Sequence, residues 1–292
     1  MDKVKKTAHI VDLVMNTLFI ICGFLAVALV VVITVYLVVS GIPAIKEIGL
    51  FNFLFGTTWK STGTDPSYGI LPFILTSVFG TFGAVLIGFP LGLLCAVCIA
   101  KMSNKKFSGI MRSVVDLMSG IPSVVFGLVG MIYVVPAVRE MFNLPDGANL
   151  FSAIVVLIIM ILPSVISMSE TAIRAVPKEY EEASLALGAN ETETIFNVTI
   201  PAAKSGILAS MVLGTGRAIG EATAVMMVAG NVANMPGLFK SVRFLTTAIV
   251  SEMAYSSGLQ RQALFSIALV LFVFIMIVNL ILNLVVKRKK DK

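Results

Sequence analysis

Several stretches of this chain stay predominantly apolar for about 20 residues or more, long enough to cross a hydrocarbon core of about 30 Å as helices. Six such spans are expected, over roughly 11–39, 71–100, 109–137, 150–169, 203–231 and 262–286. A soluble fold has no use for so many. In lipid every backbone N–H and C=O must be satisfied internally, which helices do within one segment. The composition agrees: 58% of the 292 residues are hydrophobic and 13% charged, against about 45–50% and 25% in soluble domains. The expected class is an all-α integral membrane protein of about six transmembrane helices. The first span is too long for the apolar region of a cleavable signal peptide, and no small-residue cleavage site clearly follows it.

A net charge of +6 raises the question of nucleic acid. The basic residues cluster at the ends of apolar runs, where they anchor a membrane protein, so a bilayer is the expected partner and nucleic acid is not. Of the 22 Lys and Arg residues, 15 fall in segments on the side of the N-terminus and 6 on the opposite side, with Arg217 inside a span. That bias predicts both termini in the cytoplasm. Cys95 and Cys98 form a CxxC spacing inside a span, without the βα context of a redox motif, and are expected to pack as small hydrophobes. His9 is the only histidine, which argues against a histidine-based metal or catalytic site.

The spans divide the chain into an N-terminal tail, first helix and outer loop (1–70), a five-helix core (71–286) and a basic tail (287–292). Pro90, Pro122 and Pro163 are expected to interrupt helices, since each removes a donor and frees a carbonyl. In the outer loop, the apolar stretch Ile42 to Phe55 suits the interface plane, and Trp59, the only tryptophan, suits headgroup level.

Residues 170–202 form the longest loop on the cytoplasmic side, and the pattern there changes to short soluble helices. Pro177 is placed to start a helix, with Glu179, Glu181 and Glu182 in turns where the helix dipole favours them. Tyr180, Ala183 and Leu187 share a face. Gly188 is a natural left-handed stop, and Asn190 with Glu193 forms a capping box for a second short helix. Such a long loop either merely connects two spans or presents an apolar docking surface.

Glu182, Ala183 and Ser184, three residues, Gly188, nine residues, then Val198, Thr199, Ile200 and Pro201 resemble the EAA loop of ABC importer permeases. Ser184, Val198 and Ile200 depart mildly from that pattern. Segments Tyr68 to Pro72, Gly120 to Gly127, Ser169–Glu170, Arg174 to Pro177, Gly216 to Glu221, Val225 to Asn231, Val242–Arg243 and Glu252–Met253 are similar to the phosphate-importer branch of the family. The resemblance implies a type I ABC importer permease fold and a bacterial inner-membrane location. It makes Tyr180, Glu182, Ala183, Leu187, Gly188, Ile200 and Pro201 the coupling surface for an ATPase. The implied partners are a second permease, an ATPase dimer and an extracytoplasmic phosphate-binding protein. The chain has no G-x-x-x-x-G-K-[ST] loop, so ATP is expected to be used by the ATPase, with no cofactor bound here.

Within the fifth span, Arg217 and Glu221 lie four residues apart and are expected to share one helix face. Charges at membrane depth mark pathways by default. Two readings stay open: mutual neutralisation, or a phosphate contact in which Arg217 offers a planar fork and Glu221 accepts from a protonated phosphate. Gly216 and Gly220 make a GxxxG step, expected to pack on a neighbouring helix or the partner permease. Ser123 and Ser164 each follow a helix proline; each either bonds a freed carbonyl or touches substrate. Another oxyanion permease, for sulfate or molybdate, and a stand-alone secondary transporter or channel are the competing readings. The latter leaves the EAA-like loop unexplained.

Overall fold

A computed structural model describes residues 2–61 and 65–288. Of the basic tail at 287–292, residues 289–292 lie outside the described residues. The chain opens with α1 (Asp2–Ile48), 47 residues and so roughly 70 Å long, well beyond the expected end at 39. Its apolar side chains stay exposed, Phe24 by 77%, as suits a lipid-facing helix. Only its last turns settle on the protein. A Cβ at Gly41 would stand 3.0 Å from the Ser266 backbone nitrogen, and the Ser266 hydroxyl donates to the Gly41 carbonyl at 2.6 Å.

The segment 40–70 is partly folded into the molecule, while Leu50, Phe51 and Phe55 stay exposed, by 52, 78 and 60%. α2 (Leu50–Phe55) is followed by an antiparallel hairpin of β1 (Trp59–Lys60) and β2 (Ser67–Tyr68). Phe53, Trp59, Tyr68 and Ile70 are buried in one cluster with Leu245 and Leu264, across the expected boundary at 70. Trp59 is therefore not a headgroup anchor. Its indole N–H donates to both carboxylate oxygens of Glu252, at 3.1 and 3.2 Å.

Next come α3 (Leu71–Val97), extended by a π-helical turn at Cys98–Met102, and α4 (Lys105–Gly120), whose cap Asn104 accepts from the Phe107 N–H at 2.9 Å. The expected span 109–137 is not one helix. It breaks at Ile121–Pro122 and resumes as α5 (Ser123–Val129), a π turn at Gly130–Val134 and α6 (Val135–Met141). Ser123–Met141 is the apolar 19-residue span, while α4 is amphipathic and outside it. Ile121 takes an extended conformation (φ −72°, ψ 127°), which the crowding ahead of a proline favours. Pro90 and Pro163, by contrast, sit inside continuous helices, so of these three prolines only Pro122 interrupts.

α7 (Leu150–Arg174) runs five residues past the expected end at 169. It is the central helix: 61% of its apolar window is buried, against none in α1. α3 closes on it through glycines; a Cβ at Gly88 or Gly92 would stand 2.7 Å from Ile161 or Val165. The following loop holds α8 (Lys178–Ala186), α9 (Glu191–Thr194), a π turn at Ile195–Thr199 and α10 (Ile200–Ala202). A bend of 70° leads into α11 (Lys204–Gly220). α12 (Thr223–Val228), α13 (Leu245–Glu252) and α14 (Gly258–Arg288) complete the chain. The expected span 203–231 is thus broken at Glu221–Ala222. Among the described residues, five helices are long and apolar enough to cross a membrane, and a sixth if the bent pair Glu191–Ala202 and Lys204–Gly220 is one span.

Candidate functional site

The two broken spans meet at their breaks. α5 packs on α12 so closely that a Cβ at Gly127 would stand 2.8 Å from the Ala224 Cα. At their N-terminal ends the Ser123 Oγ and Thr223 Oγ1 lie 3.1 Å apart, and the Thr223 hydroxyl donates to Glu221 Oε1 at 3.3 Å. The Ala224 N–H also donates to that oxygen, at 3.0 Å, so Glu221 caps α12. Its backbone is pinned as well: the Thr246 hydroxyl of α13 donates to the Glu221 carbonyl at 2.7 Å. Ser123, Thr223 and Glu221 form one hydrogen-bonded ladder across the two breaks.

This geometry corrects the expected Arg217–Glu221 pair. α11 ends at Gly220, and Glu221 turns extended (φ −72°, ψ 129°), so the two charges do not share a helix face. They form no ion pair, and among the described residues Arg217 has no hydrogen-bond or ion-pair partner. Its side chain is half-buried. Gly216 and Gly220 pack on no helix of this chain among the described residues: a Cβ at either meets nothing within 4 Å. The GxxxG face is open, and Arg217 lies between its two glycines in sequence. Ser164 belongs elsewhere. Its hydroxyl donates to the Ile161 carbonyl of its own helix at 2.8 Å, not to the Ile159 carbonyl that Pro163 frees one turn back. Beside the α4–α5 break lies a cavity of about 260 Å³, but its lining, including Met118, Ile121, Val125 and Phe126, offers no polar side chain to an anion.

The 178–202 loop takes the expected form. Pro177 caps α8 from one residue outside it, and no residue of α8 is buried. Tyr180 is 55% and Leu187 90% exposed, with Glu182 and Ala183 also exposed. Gly188 has φ +91°, the left-handed stop, and a Cβ there would meet no neighbour. Asn190 and Glu193 exchange both capping-box bonds at 2.9 Å. α8 is tied to the core through Glu181, which pairs with Lys101 at the end of α3 and accepts from the Thr199 hydroxyl at 3.1 Å, and through Ser184, whose Oγ lies 2.9 Å from the buried Thr194 Oγ1. Ile200 packs against the core, and Pro201 is exposed.

Two ion clusters were not legible from spacing alone. At the end that carries α8, buried Glu170 binds Arg112 and Arg174. The i,i+4 spacing of Glu170 and Arg174 was a usable signal; Arg112, 58 residues away, was not. At the opposite end Glu252 pairs with Arg243 and accepts from Trp59 and from Gln260 at 3.0 Å. Burial, and after it the Glu252 and Glu47 carboxylates, push the Tyr68 phenol in that hairpin above its ordinary value.

Residues 88–291 match a family described as the binding-protein-dependent transport system inner membrane component. A probable ABC transporter permease protein, YqgH of Bacillus subtilis (strain 168), is 35% identical, covering 92% of this chain and 89% of that one. The phosphate transport system permease protein PstC of Pasteurella multocida is 29% identical over 83% and 81% of the two chains. Among solved structures, a bacterial ABC transporter involved in the import of the acidic polysaccharide alginate superposes with a TM-score of 0.59. It covers 91% of this chain and 96% of its own at 15% identity, a likeness of fold alone.

Proposed function

This chain belongs to the family of binding-protein-dependent transport system inner membrane components, a multi-pass membrane permease, and from that premise we propose that it is the PstC-like subunit of an ATP-driven phosphate importer. The observation that carries the coupling is α8: a short helix with no buried residue, stopped at a left-handed Gly188 and presenting Tyr180 and Leu187 to solvent. Exposed apolar groups of this size fit a partner's groove. The proposed partners are a PstA-like second permease, a PstB-like ATPase dimer that binds and uses the ATP, and a PstS-like extracytoplasmic phosphate-binding protein. The chain itself binds no cofactor in this scheme.

Phosphate is favoured by the PstC relatives and by the chemistry at the crossing. Arg217 brings an unengaged planar fork, which matches two oxyanion oxygens. Glu221 uses one carboxylate oxygen on α12; the other is uncommitted among the described residues and can accept from a protonated phosphate. Sulfate carries no such proton at neutral pH. The test is ATP-dependent uptake by the reconstituted complex, with sulfate and molybdate in large excess as competitors. Phosphate uptake that neither competitor suppresses is the expected result; uptake suppressed by either would assign another oxyanion.

The proposed orientation puts both termini and the 170–202 loop in the cytoplasm. Lys101, Arg112 and Arg174 gather at the end of the molecule with α8, while Arg243, Glu252 and Gln260 gather at the other with Trp59. The grouping matches the two sides inferred from charge. Lys60→Cys and Glu182→Cys, each in a background lacking Cys22, Cys95 and Cys98, place thiols at exposed positions. An impermeant thiol reagent outside intact cells is expected to label position 60 alone. Labelling of 182 from outside would invert the orientation.

A further inference from the structure

Where α3, α4 and α7 meet, at the end of the molecule that carries α8, Ile99, Ser103, Lys105, Ser108, Arg112 and Arg174 line an opening of about 350 Å³. Two of these lining residues, Arg112 and Arg174, are held by one buried carboxylate, that of Glu170, 4% exposed. Arg174 donates through Nε to Glu170 at 2.7 Å and through one terminal nitrogen to the Ile99 carbonyl at 3.1 Å and Ser108 Oγ at 3.2 Å. Arg112 binds the same carboxylate through Nε and one terminal nitrogen. Each arginine therefore keeps a second terminal nitrogen uncommitted among the described residues, on a fork already fixed in place. Glu170 cancels one of the three positive charges. Even with exposed Asp116, one turn beyond Arg112, the sum stays positive.

A surplus of oriented cationic donors calls for an anion with several acceptor oxygens, and a phosphate group supplies them. The surroundings say which kind. α4 starts with Lys105 and Lys106, then exposes Phe107, Ile110, Val114 and Leu117, by 49, 64, 44 and 72%. Their spacing of three, four and three residues draws one apolar stripe along the helix. α4, 16 residues long, is not among the described helices that are long and apolar enough to cross a membrane. A basic amphipathic helix of this kind lies at a bilayer surface. Basic pockets between helices on the cytoplasmic side suit lipid phosphates. We propose that Lys105 and Arg112, on the polar face of α4, together with Arg174 of α7 bind the phosphate group of an anionic phospholipid of the bilayer surface that the opposite, apolar face of α4 enters. Free inorganic phosphate shares the headgroup's chemistry but has no use for the stripe.

The experiment measures binding on the assembled complex and not transport, so its failure is separate from failure of the phosphate-importer reading. The detergent-purified complex is incubated with phosphatidylglycerol, with phosphatidylcholine, or with inorganic phosphate, and retained molecules are counted by native mass spectrometry. The wild type is expected to retain phosphatidylglycerol over phosphatidylcholine. Lys105→Gln with Arg112→Gln leaves Glu170 its Arg174 partner and is expected to weaken retention about tenfold or more. Arg112→Lys alone tests the fork against mere charge and is expected to retain an intermediate amount. Lys60→Gln, at the opposite end, is expected to change nothing. Displacement of phosphatidylglycerol by inorganic phosphate would keep the phosphate-group site and assign it to the free anion. Equal retention of both lipids with no binding of inorganic phosphate, or retention unchanged in the double variant, would overturn the site.

Discussion

Arg217→Met is expected to leave a complex that inserts and assembles but takes up phosphate about a hundredfold more slowly. The guanidinium has no ion-pair partner to lose among the described residues, so no buried carboxylate is stranded by its removal. Isolated charges at membrane depth cost about 2.5–3.5 kcal/mol or more on insertion scales, so a charge kept there without a pair serves something other than the resting fold. A bidentate contact to an oxyanion contributes about 3 kcal/mol, which is a factor of about 100. The matching change at Glu221 has to respect its second duty. Glu221→Leu would strip the cap from α12, at a cost of about 1 kcal/mol. Glu221→Gln keeps an acceptor for the Ala224 N–H and removes only the charge. Uptake and ATPase activity are measured in proteoliposomes for Arg217→Met, Glu221→Gln and the two together, with assembly as the control. If the charges serve only to neutralise each other in some other state of the cycle, the double variant recovers near-wild-type uptake, because an apolar or neutral pair is tolerated where a lone charge is not. Such recovery would remove Arg217 from the pathway.

What could be foreseen here followed the range of the interaction. The spans near 11–39, 71–100, 150–169 and 262–286 depend on runs of apolar residues, and the α8 loop depends on caps three or four residues long; these were readable. Asn190 with Glu193 and the positive φ at Gly188 stand where local chemistry puts them. The break at Pro122 and the continuity through Pro90 and Pro163 are not local in this sense. The same residue type gives a kink or a helix according to what packs around it, and α7 is held straight between α3 and α11. The Arg217–Glu221 face failed for a related reason. Helical spacing assumes that the helix continues, whereas Thr246, Thr223 and Ala224 offer Glu221 better partners outside it. Trp59 misled because an apolar, aromatic outer loop reads the same whether it meets lipid or Glu252 on a distant helix.

Leu187→Asp is expected to abolish ATP-driven uptake while the permease still inserts and pairs with its partner permease. Leu187 is 90% exposed and ends α8, so the fold has almost nothing invested in its side chain. Substitutions at such positions change stability by about 0.5 kcal/mol or less. A large loss of function there has to come from a surface the isolated chain leaves bare. In an apolar groove, an aspartate would be buried without a partner, a penalty of several kcal/mol that corresponds to a loss in affinity of a hundredfold or more, on the order of 3 kcal/mol. Gly188→Val probes the same helix differently. A Cβ at 188 meets no neighbour, so the cost is the left-handed backbone alone, roughly 1–2 kcal/mol per residue. That strain bends the end of α8 without touching its chemistry, and a smaller defect is expected. Glu181→Ala, by contrast, releases α8 from Lys101 and Thr199 while leaving the exposed face intact. The ATPase is expected to bind this variant yet drive less uptake per ATP hydrolysed. The three are compared by co-purification of the ATPase and by the ratio of phosphate moved to ATP hydrolysed. Co-purification and uptake both at wild-type level in Leu187→Asp would show that α8 is a connection and not the docking surface.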